Sequence, residues 1–488
     1  MSTGTASSSP APTAGLISTA TCAGVQARRA ARVFIIGSRK SELAQIQAYH
    51  VRDLLAAAHP GTTFEVQTEV TAGDVNLVSH LATLAGAAPG LFTKELEMGL
   101  ATGAYDLVVH SLKDMPTTLP TGLSLAAITS REDPRDVLIL KQQAATAAAA
   151  ANVPNECAGA STNALTGSAV AEAARADGAD SDAVLHLLPA GMRLGTSSVR
   201  REALLRRLAP QATAVTIRGN LNTRMRKLDT ADEAAPEAAA CASAPPTVPA
   251  AACAAVTSAH AAAPTGVYDA LLLARAGIQR LGWGARITHA LNPDVFPYAV
   301  GQGALGIEVR ADDEEVAALL LLAVDVRAAL ACTAERTFLN KLQGGCQVPI
   351  GVKTTVGGVC ASAPSPWSSA SAEGAPRATE LHLSGSVLSL DGGELVTVND
   401  RCVIDLPVLS GANPACPSVA AWRSLTAQAA ALGSRVGEAA LRAGADRILG
   451  HVTSARPITY GSAELAGLTA PLAAAAAAAA AAGVPQSS

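Results

Sequence analysis

The sequence predicts an α/β protein closed by a smaller α+β domain, and three observations carry that reading. Apolar, strand-like runs alternate with segments of helical periodicity from residue 32 to about residue 322, as in open sheets with helices on their faces. Past residue 326 the alternation gives way to a helix, an antiparallel hairpin and two further helical segments. The chain is also long: 488 residues leave room for about three domains at roughly 150 residues each.

The first strand is RVFIIGS at 32–38, an apolar run that ends in a polar turn at Ser38. LAQIQAYHVRDLLAAAH at 43–59 follows as a helix, because Leu43, Ile46, Val51, Leu54 and Leu55 recur at helical spacing. FEVQTEV at 64–70 is the next strand, LFTKELEMGLATG a helix, and DLVVHSL at 106–112 a strand. GMRLGTSSVRREALLRRL then repeats strand, turn and helix. Strand ends in such sheets open onto helix N-termini, where anions gain from the helix dipole and free N–H groups. In the last domain LHLSGSVLSL and ELVTVNDRCVIDL flank an Asp391-Gly392 turn and pair as a hairpin.

Four stretches lie outside this pattern. Residues 1–31 are rich in Ser, Thr, Ala and Pro, and the first acidic residue is Glu42. They read as a disordered leader or, with Arg28, Arg29 and the neighbouring Arg32, as an organelle transit peptide. Two Ala-rich stretches at about 141–189 and 231–265 read as surface insertions. Residues 461–488 include an alanine run with helix propensity but no stripe of large side chains to dock, and read as a disordered or Ala-rich tail.

Composition excludes several function classes. Lys+Arg at 36 against Asp+Glu at 40 gives a net charge of −4, so nothing pulls the whole chain to nucleic acid or an anionic membrane. Aromatics make up only 3%, and no run of about 20 residues carries the large side chains of a membrane span. Nine cysteines are scattered without a CxxC pair or a Cys/His cluster at metal spacing, which fits a reduced compartment and argues against structural zinc. VGQGALGIE contains Gly301, Gly303 and Gly306 at dinucleotide spacing, but these glycines lead into a β-like GIEVR and offer no helix N-terminus to a pyrophosphate.

Candidate chemistry rests on three features. Arg39, Arg200, Arg201, Arg218, Arg224 and Arg280 fall at or just after strand-to-helix junctions in a chain that is acidic overall, which points to a polyanionic ligand; singly, each is equally well an ion-pair partner. Lys113 and Asp114 end an apolar strand in HSLKDMP, where the carboxylate can offset a cation and the ammonium can bind an anion or move a proton; a structural ion pair is the plainer alternative. Asp136 in REDPRD and Asp74 in TAGD are less specific. Cys346 in LQGGCQVPIG sits beside two glycines, suited to a covalent intermediate or a thioether-held cofactor, or else a buried cysteine in a tight turn.

GSRKSELAQIQ, LFTKELE, DLVVHSLKDMPT, REDPRD, GTSSVRR, RGNLNTRMRKLD, AGIQRLGW, YAVGQGALGIEVR, AERTFL and GGCQVPIG together resemble the hydroxymethylbilane synthase, or porphobilinogen deaminase, family. They occur in family order from about 32 to 460, interrupted by the two insertions, and AGIQRLGW, YAVGQGALGIEVR and the hairpin look like the animal and fungal type. That subtype weighs against a transit peptide and implies a cytoplasmic enzyme, with plastid or mitochondrion as the alternative. The resemblance implies two domains like those of periplasmic binding proteins around a cleft. Domain 1 is then 32–130 with a return over 302–322, domain 2 is 131–301, and domain 3 at 326–460 bears the cofactor cysteine.

By resemblance, the reaction joins four porphobilinogens head to tail with loss of ammonia and releases hydroxymethylbilane, without a metal. Cys346 would carry a dipyrromethane cofactor through a thioether. Lys113, Asp114, Thr196, Ser197, Ser198, Arg200, Arg201, Arg218 and Gly219 would contact that cofactor. Arg39, Ser41, Gln47, Phe92, Lys94, Arg200, Arg224 and Arg280 would hold the substrate. Asp114, Lys113 and Arg39 would be catalytic, Asp114 by offsetting the charge left when ammonia departs. The enzyme would act as a monomer with no nucleic-acid or membrane partner. Two departures stand out: Pro89 replaces a lysine in a lengthened lid segment, and Gln343 a common glutamate near Cys346. The alternatives are a noncatalytic anion-binding protein, which would need neither Cys346 nor Asp114, and a degenerate paralogue that binds tetrapyrroles without making them.

Overall fold

The computed structural model describes residues 32–69, 71, 93–141, 181–230, 268–343, 348–357, 378–405 and 419–455. Strands and helices are numbered in chain order. The first sheet contains β1 (Val33–Arg39), β2 (Thr63–Glu69), β3 (Leu107–Ser111), β4 (Leu123–Ile128) and β10 (Leu305–Arg310), in the order β2-β1-β3-β10-β4. β1 runs parallel to β2 and β3, while β10 is antiparallel to β3 and β4. Helices α1 (Glu42–Ala58), α2 (Lys94–Ala101) and α7 (Glu314–Leu320) belong to this domain. Covering both faces explains why β1 and β3 read as nearly continuous apolar runs: Phe34, Ile36, Leu107 and Val109 enter the core beneath α1, and Val108 packs with Leu96 and Leu100 of α2.

The second sheet repeats this topology. It contains β5 (Asp136–Leu140), β6 (Arg193–Gly195), β7 (Thr213–Val215), β8 (Ala270–Ala274) and β9 (His289–Ala290), in the order β7-β6-β8-β5-β9. β6 is parallel to β7 and β8, and β5 is antiparallel to β8 and β9. In each sheet the strand that arrives by crossing from the other domain, β5 or β10, is the antiparallel one. That exchange gives the two periplasmic-binding-protein-like lobes expected from the sequence. Helices α3 (Ser181–His186), α4 (Val199–Leu208), α5 (Leu221–Asp229) and α6 (Arg275–Arg280) complete the lobe. One boundary needs correction: α3 lies inside the stretch read as an insertion, yet Val184, Leu185 and Leu188 are buried in the second core, so 181–189 is part of the domain.

The third domain is a three-stranded antiparallel sheet of β11 (Ile350–Gly357), β12 (Ala378–Leu388) and β13 (Leu395–Asp405). It packs with α8 (Val326–Lys341), α9 (Val419–Ala440) and α10 (Asp446–Ala455). α8 serves two cores: Ala328, Ala329 and Cys332 pack into the first lobe, and Leu330, Ala334 and Phe338 into the third domain. The tip of the β12–β13 hairpin touches α4, where Arg207 Nη1 donates to Gly392 O at 3.1 Å. Gly392 has φ +74, and a Cβ there would lie 2.5 Å from Ala203 O, so the contact requires glycine.

Candidate functional site

The first wall of the cleft is built at the C-terminal ends of β1 and β3. Arg39 ends β1, Ser41 stands at the N-cap position of α1, and Gln47 lies buried nearly two turns further along the helix. Gln47 Nε2 donates to Ser111 Oγ at 3.0 Å, which ties α1 to the end of β3. Arg39, Ser41, Gln47, Thr93, Ser111 and Asp114 line one pocket. Lys94, the first residue of α2, follows Thr93 directly.

Lys113 and Asp114 fall in a single 3-10 turn, Leu112–Asp114, directly after β3. The turn is fixed by buried Leu112, whose N–H donates to Ala304 O at 3.0 Å. Asp114 is exposed to the pocket and Lys113 is partly buried beside it. Burial pulls the Lys113 ammonium below the ordinary lysine range; Arg201 and Arg224 push the same way, against Asp114 and Asp136.

The second wall comes from α4 and α5. Ser198 caps α4, accepting from the Arg201 N–H, and Ser198 N–H donates to Thr196 Oγ1 at 3.2 Å. Ser197 Oγ donates to Ile217 O, and Asn220 caps α5 by accepting from Thr223 N–H at 2.9 Å. Gly219, with φ +110, brings the backbone close to Thr223 at the head of α5, and its carbonyl accepts from Arg224 Nε at 2.8 Å. Burial first, then Arg201, lowers the Arg224 guanidinium to about 10, and Asp114 on the facing wall opposes the fall. Burial alone lowers Arg218. The lobes meet directly where Asn222 Nδ2 donates to Glu42 Oε2 at 2.6 Å.

The six arginines are not one uniform bank. Arg200 and Arg201 are buried on a shared acid: Arg200 Nη1 donates to Asp136 Oδ2 and Arg201 Nη2 to Asp136 Oδ1, both at 2.7 Å. Their other bonds go to Pro297 O and Leu272 O. Burial works against the Asp136 charge, but the two guanidiniums hold its carboxyl well below the usual range. Arg200 Nε keeps no hydrogen-bond partner. Arg280 ends α6 rather than starting a helix, and donates to Gly303 O at 2.7 Å on the crossover between the lobes.

The structure therefore gathers Arg39, Ser41, Gln47, Lys113 and Asp114 on one wall, and Thr196, Ser197, Ser198, Arg200, Arg201, Arg218, Gly219 and Arg224 on the other. Phe92, Cys346, Pro89 and Asp74 lie outside the described residues. Gln343 stands just past α8 with φ +50, in the left-handed region. Sequence reasoning undervalued Asp136, whose signal was an acid opening the apolar run DVLIL. It passed over His110 and Glu308, polar residues interrupting the apolar strands LVVHS and LGIEVR. The glycines of VGQGALGIE serve the crossover: Gly301 has φ +70, Gly303 has φ +90, and Gly306 in β10 lies opposite His110.

Comparison with known proteins places these features. Residues 34–244 and 257–318 match the family described as "Porphobilinogen deaminase, dipyromethane cofactor binding domain", and 329–406 match "Porphobilinogen deaminase, C-terminal domain". The porphobilinogen deaminase of Nostoc sp. (strain PCC 7120) is 39% identical over 367 residues, 75% of this chain and 85% of that protein. That of Gloeobacter violaceus is 41% identical over 324 residues, 66% of this chain and 76% of that protein. These relatives are cyanobacterial, so the animal and fungal affinity read from the motifs, and its weight against a transit peptide, finds no support in them. Among solved structures, the Escherichia coli aliphatic sulphonate binding protein SsuA aligns at 13% identity over 64% of this chain and 70% of that chain; its TM-score of 0.24 is too low to argue from.

Proposed function

The chain belongs to the porphobilinogen deaminase family and is a transferase that joins porphobilinogen units into hydroxymethylbilane, and from that premise we propose how its cleft does so. The observation that carries the proposal is a charge imbalance. Lys113, Arg201 and Arg224 crowd Asp114 and Asp136, and Arg200 adds a guanidinium with an orphan Nε. Such a wall suits a ligand with several carboxylates, which the family cofactor dipyrromethane and a growing pyrrole chain both supply.

Thr196, Ser197, Ser198, Arg200, Arg201, Arg218 and Gly219 would hold the cofactor's carboxylates, with Cys346 as the point of attachment. When bound, dipyrromethane supplies the pyrrole end to which substrate is joined. Arg39, Ser41, Gln47, Lys94, Arg224 and Arg280 would take the acetate and propionate of incoming porphobilinogen, and Phe92 would stack on its pyrrole ring. Asp114 carries negative charge at the pocket, offsets the positive charge that develops as ammonia leaves, and accepts pyrrole N–H bonds. Lys113 Nζ, its ammonium destabilised by burial, gives up a proton more readily than an ordinary lysine and can pass it at the pocket.

An intact mass spectrum of the purified protein beside Cys346→Ser tests this. The expected result is a mass excess of one dipyrromethane in the wild type that the variant lacks. A bare polypeptide mass that takes up no adduct and releases no ammonia with porphobilinogen overturns it. The same reading makes the enzyme a monomer with a small-molecule substrate and no nucleic-acid or membrane partner, supported by a net charge of −4. We place it in the cytoplasm, with plastid or mitochondrion as the second reading, on scattered cysteines that fit a reduced compartment. Imaging of the full chain fused to a fluorescent protein decides between them.

A further inference from the structure

Asp114 stands in a segment held at both ends by charged groups that belong to neither wall of the cleft. At the near end, His110 Nε2 lies 2.9 Å from Glu308 Oε2, with side chains 4% and 0% exposed. The register explains the meeting: His110 faces Gly306 and Val108 faces Glu308, so His110 and Glu308 are diagonal neighbours on one face of the β3–β10 pair. At the far end, Arg336 of α8 donates from Nη1 to Met115 O at 3.1 Å and from Nη2 to Pro116 O at 2.6 Å, and it lies within electrostatic reach of Glu308. Residues 110 to 116, with Lys113 and Asp114 between, are thus bracketed by two bases that share one acid.

We propose that Glu308 is a positioning residue for Asp114, acting through His110 and Arg336. The inference rests on the reading above that Asp114 works at the reacting centre. A second buried acid, Glu97 of α2, covers the same face and accepts from Thr93 Oγ1 at 2.6 Å. The groups facing Glu97 are Glu95 and Thr93 on its own element, Glu308 on β10 and His110 on β3. Burial raises its carboxyl, with Glu308 and Glu95 adding to the rise and Thr93 and His110 opposing it. Glu97 thus favours its neutral form more than an ordinary glutamate does, and Glu308 is the acid in contact with His110. Glu308 Oε1 is buried without a hydrogen-bond partner. Thr93 and His110 both line the pocket of Asp114, so this cluster forms its floor.

Steady-state kinetics on the holoenzyme, with melting curves of each variant, test the inference. Glu308→Gln removes the charge shared by the brackets, and kcat should fall by about 10²-fold while KM stays within about twofold, as for a displaced reacting group. Added to Asp114→Asn, Glu308→Gln should cost nothing further, because it acts through the residue already lost. Full additivity in the double variant overturns the proposal. If Glu308→Gln does not fold, His110→Gln, which breaks the same contact from its other side, is put through the same kinetics and the same double-variant test. Wild-type turnover in Asp114→Asn would instead overturn the reading of the cleft, whereas loss there with full activity in Glu308→Gln overturns only the positioning role.

Discussion

Glu335 and Arg131 meet in a two-bond fork where the chain crosses between the lobes, Nη1 to Oε1 at 2.7 Å and Nη2 to Oε2 at 3.0 Å. Glu335 also accepts from the Gly301 N–H at 2.8 Å, and Arg131 Nε donates to Gln302 O at 2.9 Å, so one carboxylate from α8 ties both crossover segments to the third domain. Glu335 is fully buried, and removing its charge strands a desolvated guanidinium. Glu335→Gln should lower the unfolding free energy by about 3–5 kcal/mol in urea titrations. A double variant with Arg131→Met should recover part of that loss; an unchanged midpoint in Glu335→Gln would show that the fork does not hold the hinge.

Where local periodicity sets an element, the sequence is sufficient: α1 shows its buried face as Val51 and Leu55, and the β12–β13 hairpin announces itself at Asp391-Gly392. α8 is harder, because a helix buried by two domains loses its polar face and with it the 3.6-residue signal. The arginines were legible as residue types and positions. Their division was not, since Asp136 lies 64 and 65 residues before its two partners, and Glu308 lies 198 residues after His110. Such pairs exist only after the lobes have exchanged β5 and β10, so no spacing rule reaches them.

Asp136 should set the acid stability of the second lobe. Its folded carboxyl titrates below the unfolded value, so its contribution is present above the ordinary carboxylate range and is lost as pH falls through the folded value. Asp136→Asn should destabilise the protein near neutrality, by about 3–5 kcal/mol for a broken buried pair, and flatten the acid limb of stability. Melting temperature against pH checks both effects; an acid limb identical to wild type contradicts the assignment.

Lys113 should impose an alkaline limit on turnover. Its ammonium is destabilised by burial and by Arg201 and Arg224, so it deprotonates at lower pH than an ordinary lysine. Lys113→Met should lower kcat by about 10²-fold or more, the loss expected for a proton-handling group. Lys113→Arg keeps the charge but does not titrate in this range, so its residual activity should lose the alkaline fall. A pH–rate profile in which Lys113→Arg retains the wild-type alkaline limb assigns that limb to another group.

Gly303 should be the least replaceable glycine of the crossover. With φ +90 it occupies a conformation that L side chains avoid, and a Cβ there would lie 2.4 Å from Glu132 O on the opposing segment. Its carbonyl accepts from Arg280 Nη2 at 2.7 Å and from Glu132 N–H at 3.2 Å, so moving Gly303 moves the anchor of Arg280. Gly61 offers the control: φ is +87, yet a Cβ there meets nothing within 4 Å. Gly61→Ala should carry only the backbone strain, about 1–3 kcal/mol by chemical denaturation. Gly303→Ala adds the clash and should destabilise more, while raising KM for porphobilinogen more than it lowers kcat because Arg280 is displaced. Equal losses in the two variants would mean that the crossover yields at Glu132, and that strain alone makes Gly303 a glycine.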